Sequence, residues 1–192
     1  NHSEALTRLT TALDRARRLS RDSDVIGEVL RRRGEVYLAQ GRFGEADRDL
    51  GEALRLCRAV GDSLEEGSVL RVLSALDYAR GRRTRARRLA ERAEAVLRRT
   101  GATYDLAAAL LTDAAGLMAA LSERETRAGH ARPGSSLRGT VEARLCTARE
   151  LFGAVGSDYW AAVCALKLGR VMYRLGDSDR AWYWLEKAQP EL

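Results

Sequence analysis

Residues 31–56 read RRRGEVYLAQGRFGEADRDLGEALRL, and counting outward from Gly34 decides the fold. At offsets +3, +7, +12, +16 and +19 stand Tyr37, Gly41, Ala46, Leu50 and Ala53. The same offsets from Gly169 give Met172, Gly176, Ala181, Leu185 and Ala188. From Ser74 they give Asp77, Gly81, Ala86, Ala90 and Ala93. Glycine at +7 and alanine at +12 and +19, three times over, mark an internal repeat. A fourth copy starts at Ala114 with Leu117 and Leu121, and its second half resumes at Val141, Leu145 and Ala148. Gly34, Ser74 and Ala114 are spaced by 40, whereas Gly169 follows Ala114 by 55. The 15 extra residues fall within SERETRAGHARPGSSLRG, about 122–139, which has Gly, Pro and Ser without apolar period and reads as an inserted loop.

The pattern describes a helix, a tight turn and an antiparallel second helix. Leu30, Gly34 and Tyr37 share one face of the first helix. Glycine at +7 suits the left-handed residue that ends a helix. The alanines let two helix backbones approach closely. Asp62 and Ser63, followed by Glu65 and Glu66, supply an N-cap and a capping-box candidate for the next unit.

These motifs resemble the tetratricopeptide repeat, with its Leu-Gly pair, an aromatic three on, then Ala and a large apolar residue four later. The tryptophan slot of that pattern holds Leu30, Leu70, Leu110 and Ala165, and the closing proline occurs only at Pro190. The long period and the RAVGD ending (residues 58–62) are similar to repeats of large ATP-binding bacterial transcriptional regulators and of actinobacterial proteins with a caspase-like CHAT peptidase domain. The resemblance implies an all-α, right-handed α-solenoid of stacked antiparallel helical hairpins, a tetratricopeptide-like superhelix. The expected divisions are a lone second helix (1–24), then repeats at 25–62, 63–102, 103–157 with the insertion, and 158–192. Residues 4–20 have second-helix spacing and no first helix before them. That predicts a fragment of a longer protein forming one continuous solenoid domain.

Composition narrows the function. Of the 192 residues, 31% are charged and two are proline, a helix-favouring balance. Three cysteines (Cys57, Cys146, Cys164) without CxxC spacing suggest neither a disulfide framework nor zinc, and point to a reducing, cytoplasmic setting. No signal peptide or apolar run of 18 or so residues is read, so no membrane partner is expected. The net charge of +6 rests almost wholly on arginine. The densest run, residues 79–99, holds Arg82, Arg83, Arg85, Arg87 and Arg88. It has no interleaved aromatic on which bases could stack, so a solvated helix face is preferred to a nucleic-acid stripe.

The resemblance places ligands on the concave face of the first helices. The inward slots give Arg31, Glu35, Arg71, Tyr78, Met118, Arg170, Tyr173 and Arg174. Guanidinium groups there would hold an acidic or C-terminal carboxylate while Tyr78, Met118 and Tyr173 pack its side chains. The competing reading is that these arginines pair with Glu35 or Glu28. Trp182 and Trp184, two apart on a helix, cannot both face one core, so one is expected to be exposed. No phosphate loop, HExxH or GxSxG is present, and a Cys146–His130 dyad would depend on a loop histidine. The expectation is therefore a non-enzymatic interaction or sensor module of a multidomain bacterial signalling protein, with neither cofactor nor metal. Its partner is a protein, a peptide or the adjoining domains of the same chain. The alternatives are an architectural spacer and phosphate-backbone binding through residues 82–88.

Overall fold

The structure, a computed structural model, describes residues 2–19, 24–127 and 135–189. All regular structure among them is helical. In order the helices are α1 (His2–Leu19), α2 (Asp24–Ala39), α3 (Phe43–Val60), α4 (Ser63–Ala79), α5 (Arg83–Thr100), α6 (Thr103–Arg127), α7 (Ser135–Ala154), α8 (Asp158–Arg174) and α9 (Ser178–Lys187). They fall into two compact units, residues 1–101 and 102–192. In the first unit α2 pairs with α3 and α4 with α5; in the second α6 pairs with α7 and α8 with α9. Each pair is one antiparallel hairpin of the repeat.

The turns follow from the glycines. Gly41, Gly81 and Gly176 have φ of 72°, 73° and 78°, the left-handed region open to glycine at no steric cost. Around Gly41 its own N–H donates to Leu38 O (3.0 Å) and the N–H of Arg42 to Tyr37 O (2.9 Å). The N–H groups of Gly81 and Arg82 repeat this on Tyr78 and Asp77, and those of Gly176 and Asp177 repeat it on Tyr173 and Met172. These paired bonds satisfy the last carbonyls of each first helix and reverse the chain in two residues. Asp62 caps α4, its carboxylate accepting from Glu65 N–H at 2.9 Å.

Small residues at the repeat anchor set the distance within each hairpin. A Cβ on Gly34 would lie 2.8 Å from Leu50 Cγ, and one on Gly169 would lie 3.1 Å from Leu185 Cγ. Ser74 at the same position turns its hydroxyl to the Ala86 carbonyl (3.0 Å) and is buried. The first unit's core joins Leu13, Ile26, Leu30, Leu50, Val69 and Leu76. Buried in the second unit are Leu110, Leu117, Leu145, Phe152, Leu168 and Met172.

Part of the expected insertion is helical. Residues 122–127 complete α6 and residues 135–139 open α7; residues 128–134, including His130, lie outside the described residues. Glu123, Arg124, Glu125 and Arg127 are good helix formers, so α6 runs on until the helix-opposing Gly129 and Pro133 are near. The stretch Thr103–Ser122 is apolar and long enough to pass for a membrane span. It is 56% buried within the fold, and its Asp113 is paired with Arg144 of α7 (2.6 Å), which marks it as a core helix.

Candidate functional site

The first helices of each unit carry the slots expected to meet a ligand, and the two units use them differently. In the first unit the slots are occupied by internal ion pairs. Arg31 Nε donates to Glu65 Oε1 at 2.6 Å, and its Nη1 to Glu35 Oε1 at 3.2 Å. Arg71 Nη2 donates to that same Glu35 oxygen at 2.7 Å. The four side chains link α2 to α4, and Arg31 is only 7% exposed. Burial opposes the charge on Arg31, while the hydrogen bond and charge of Glu65 favour it; the balance raises the guanidinium further. Burial likewise pushes the Glu65 carboxyl up, with Arg31 drawing it part of the way back. Removing either partner would strand a charge in the packed α2–α4 seam.

The arginine–glutamate pairing weighed from the sequence is thus what Arg31 and Arg71 do, with Arg32 and Glu28 adding an exposed pair (3.5 Å). Glu65 was not among the expected site residues. It lies 34 residues after Arg31, and the legible signal was an acid near the start of the next first helix. Tyr78, half-buried, is the remaining expected residue of this unit.

In the second unit the slots are open. Met118 is half-buried on α6; Arg170, Tyr173 and Arg174 are exposed on α8, Tyr173 by 76%. Among the described residues no ion pair engages Arg170 or Arg174. Beside them a shallow cleft is lined by Met118, Leu121, Val171, Leu175, Arg138 and Arg174. Leu121, Arg138, Val171 and Leu175 were not among the expected site residues; the long insertion separates Leu121 from Arg138 in the chain. The cleft encloses about 20 Å³, room for a methyl group or a water, so it offers footing for a side chain rather than a small-molecule pocket.

The arginine-rich stretch is largely neutralised. Arg85 Nε lies 3.0 Å and Arg82 Nη1 3.7 Å from the buried Asp77 carboxylate. Arg87 pairs with Glu91, Arg92 with Glu66 and Arg98 with Glu94. At the far end Trp182 is 65% exposed and donates to Glu186 Oε1 (2.8 Å), while Trp184 is half-covered beneath Arg149. One of the two tryptophans is therefore exposed, as the spacing required.

Burial pushes the Cys57 and Cys164 thiols up to about 11, the opposite of what a nucleophile needs. Cys146 is also raised, by burial first and then by Glu142 and Glu150. Among the described residues no three His, Cys, Asp or Glu side chains converge on a point where a metal could sit.

Residues 25–99, which span α2 to α5, match the family model of the tetratricopeptide repeat, and such repeats generally mediate protein–protein interaction. The fold is similar to the crystal structure of BtubC (BKLC) from P. vanneervenii, with a TM-score of 0.75 at 19% identity. That similarity covers 97% of this chain and 72% of the other. No curated protein matches the sequence.

Proposed function

We propose that this chain is a protein- or peptide-interaction module whose ligand-contacting residues lie on the first helices of residues 102–192. One contrast carries the reading: Arg31 and Arg71 are spent on Glu65 and Glu35, whereas Arg170 and Arg174 are exposed and, among the described residues, meet no acid. Beside that cationic pair stand Tyr173 and the apolar lining of Met118, Val171 and Leu175. A segment ending in an acidic side chain or a C-terminal carboxylate, with one apolar side chain next to it, satisfies both features. Tyr78 offers an apolar contact in the other unit. Arg31, Glu35 and Arg71 act as a brace rather than as ligand contacts.

Within a longer cytoplasmic bacterial protein such a module would report occupancy to adjoining regulatory domains. The uncovered Trp182 favours a second contact at the α8–α9 end, where an adjoining domain of the same chain would pack. Phosphate-backbone binding is disfavoured, since Arg82, Arg85, Arg87 and Arg92 already meet Asp77, Glu91 and Glu66.

The test is capture from source-cell lysate by the parent chain and by an Arg170→Glu/Arg174→Glu variant. Both positions are exposed, so stability should match. A protein held by the parent and lost by the variant supports the reading. Equal capture by both overturns it and shifts attention to Trp182.

A further inference from the structure

On α1 and α5, arginines one helical turn from an acid pair with it: Arg8 with Glu4, Arg87 with Glu91 and Arg98 with Glu94. Helix α8 sets two cations in that relation instead. Arg170 and Arg174 stand four apart, both are exposed, and among the described residues neither meets an acid. Like charges at that spacing weaken a helix, and an anion held between them reverses the effect. Lys167, three residues before Arg170, extends the same face. The exposure belongs to the repeat: the slot of Arg174 is exposed as Ala39, Ala79 and Ala119 in the other three copies. The slot of Arg170 is part-exposed there as Glu35, Ala75 and Ala115. Only the α8 copy fills both slots with cations.

The surroundings define the anion. The cleft beside Arg174 is floored by Met118, Leu121, Val171 and Leu175, and Arg138 of α7 also lines it. Arg138 closes the first turn of α7, a turn without an acid, so the partial positive charge of that helix start adds to the field. A ligand here meets two guanidinium groups one turn apart, about 6 Å, beside an apolar footing the size of a methyl group. A carboxylate has a single charge and two oxygens, which one guanidinium satisfies bidentately, leaving the second cation over. A phosphate monoester has about two charges and three acceptor oxygens, enough to bridge both. A nucleic-acid backbone has one charge per phosphate and places sugar beside it, where the cleft offers only hydrocarbon. An aliphatic residue next to a phosphorylated one meets both halves of the site.

We infer that the α8 site takes a phosphorylated serine or threonine of a partner protein. The phosphate bridges Arg170 and Arg174, and a neighbouring aliphatic side chain rests in the cleft. Serine and threonine are short enough to keep the phosphate within one side chain of that footing. This is phospho-motif recognition by clustered arginines. It rests on the ligand face proposed above, and it makes occupancy of that face depend on phosphorylation of the partner.

The probes are fluorescein-labelled peptides of one frame, Gly-Ala-Leu-X-Leu-Ala amide, with X phosphoserine, serine or glutamate, and the serine peptide again with a free C-terminal carboxylate. Fluorescence anisotropy with the full chain should show saturable binding of the phosphoserine peptide. It should bind roughly tenfold or more tighter than the glutamate and free-carboxylate peptides, and the serine amide should not saturate. Arg170→Gln and Arg174→Gln should each weaken it roughly fivefold or more, since each guanidinium has its own phosphate oxygens. Arg48→Gln, at an exposed arginine of α3, should bind like the parent. Absence of phosphopeptide binding, or equal or tighter binding of the glutamate or free-carboxylate peptide, overturns the inference. So does displacement by an oligothymidylate at equal phosphate concentration, or a loss confined to one of the two arginines. The α8 reading is judged apart from it: lysate capture that needs Arg170 and Arg174 but survives phosphatase treatment of the lysate keeps that reading and overturns this inference.

Discussion

Arg31 illustrates how one residue can satisfy a sequence rule and serve another purpose. Its slot on α2 faces the next first helix, as the repeat phase demands, but Glu65 and Glu35 reach it first. Truncation by Arg31→Ala should cost about 3 kcal/mol in urea unfolding, chiefly by leaving Glu65 buried and unpaired. Arg31→Met combined with Glu65→Met should recover most of that loss, since a packed apolar pair replaces a desolvated ionic one. The cysteines give a second prediction. Cys57 and Cys164 keep their protons in the folded chain up to about pH 11, whereas the unfolded thiols release theirs near the ordinary value of 9.0. The folded state thus binds more protons between those values, so stability should fall as pH rises from 9 towards 11. Replacing both by Ala should flatten that part of the curve, read as urea midpoints at pH 8, 9 and 10.

At the level of helices, glycines separate those the packing requires from those it merely tolerates. Gly67 of α4 faces Leu97 of α5, where a Cβ would sit 2.5 Å from Leu97 Cγ. Gly67→Ala should therefore push α4 from α5 and cost roughly 1–3 kcal/mol through overpacking. Gly51 of α3 has nothing within 4 Å of the same added atom. Gly51→Ala should stabilise by about 0.5–1 kcal/mol, because it removes backbone freedom from a helix interior. Opposite shifts in the thermal midpoints of the two variants would check both statements.

At the level of the whole chain, two compact units each have their own buried core, and the tryptophans sort between them. Trp160, Trp182 and Trp184 all lie in residues 102–192. Tryptophan fluorescence therefore follows the second unit, while far-ultraviolet circular dichroism follows both. Gly67→Ala should lower the dichroism midpoint and leave the fluorescence midpoint near that of the parent. A fluorescence midpoint that moves equally would mean that the two units unfold as one.

The repeat was legible because each signal is local: glycine at +7 needs only its own turn, and alanine at +12 and +19 needs only the facing helix of its hairpin. The phase of the repeat likewise placed Arg31, Arg71, Arg170 and Arg174 on the first helices before any coordinates. Sequence also required that one of Trp182 and Trp184 be exposed, since a 3.6-residue period turns them to different faces. Which arginines are drawn into buried ion pairs was not legible, because that depends on acids 34 to 36 residues away meeting them across neighbouring hairpins. The helical ends of the insertion were missed for a related reason: glycine and proline content was read as loop where flanking Glu and Arg continue the helices. The sequence by itself determined the hairpin and its period, for those follow from backbone conformation and side-chain size within 20 or so residues. Only the tertiary structure decided where charge is neutralised and where an apolar cleft stays open, because desolvation and ion pairing are set by the neighbours that packing brings together.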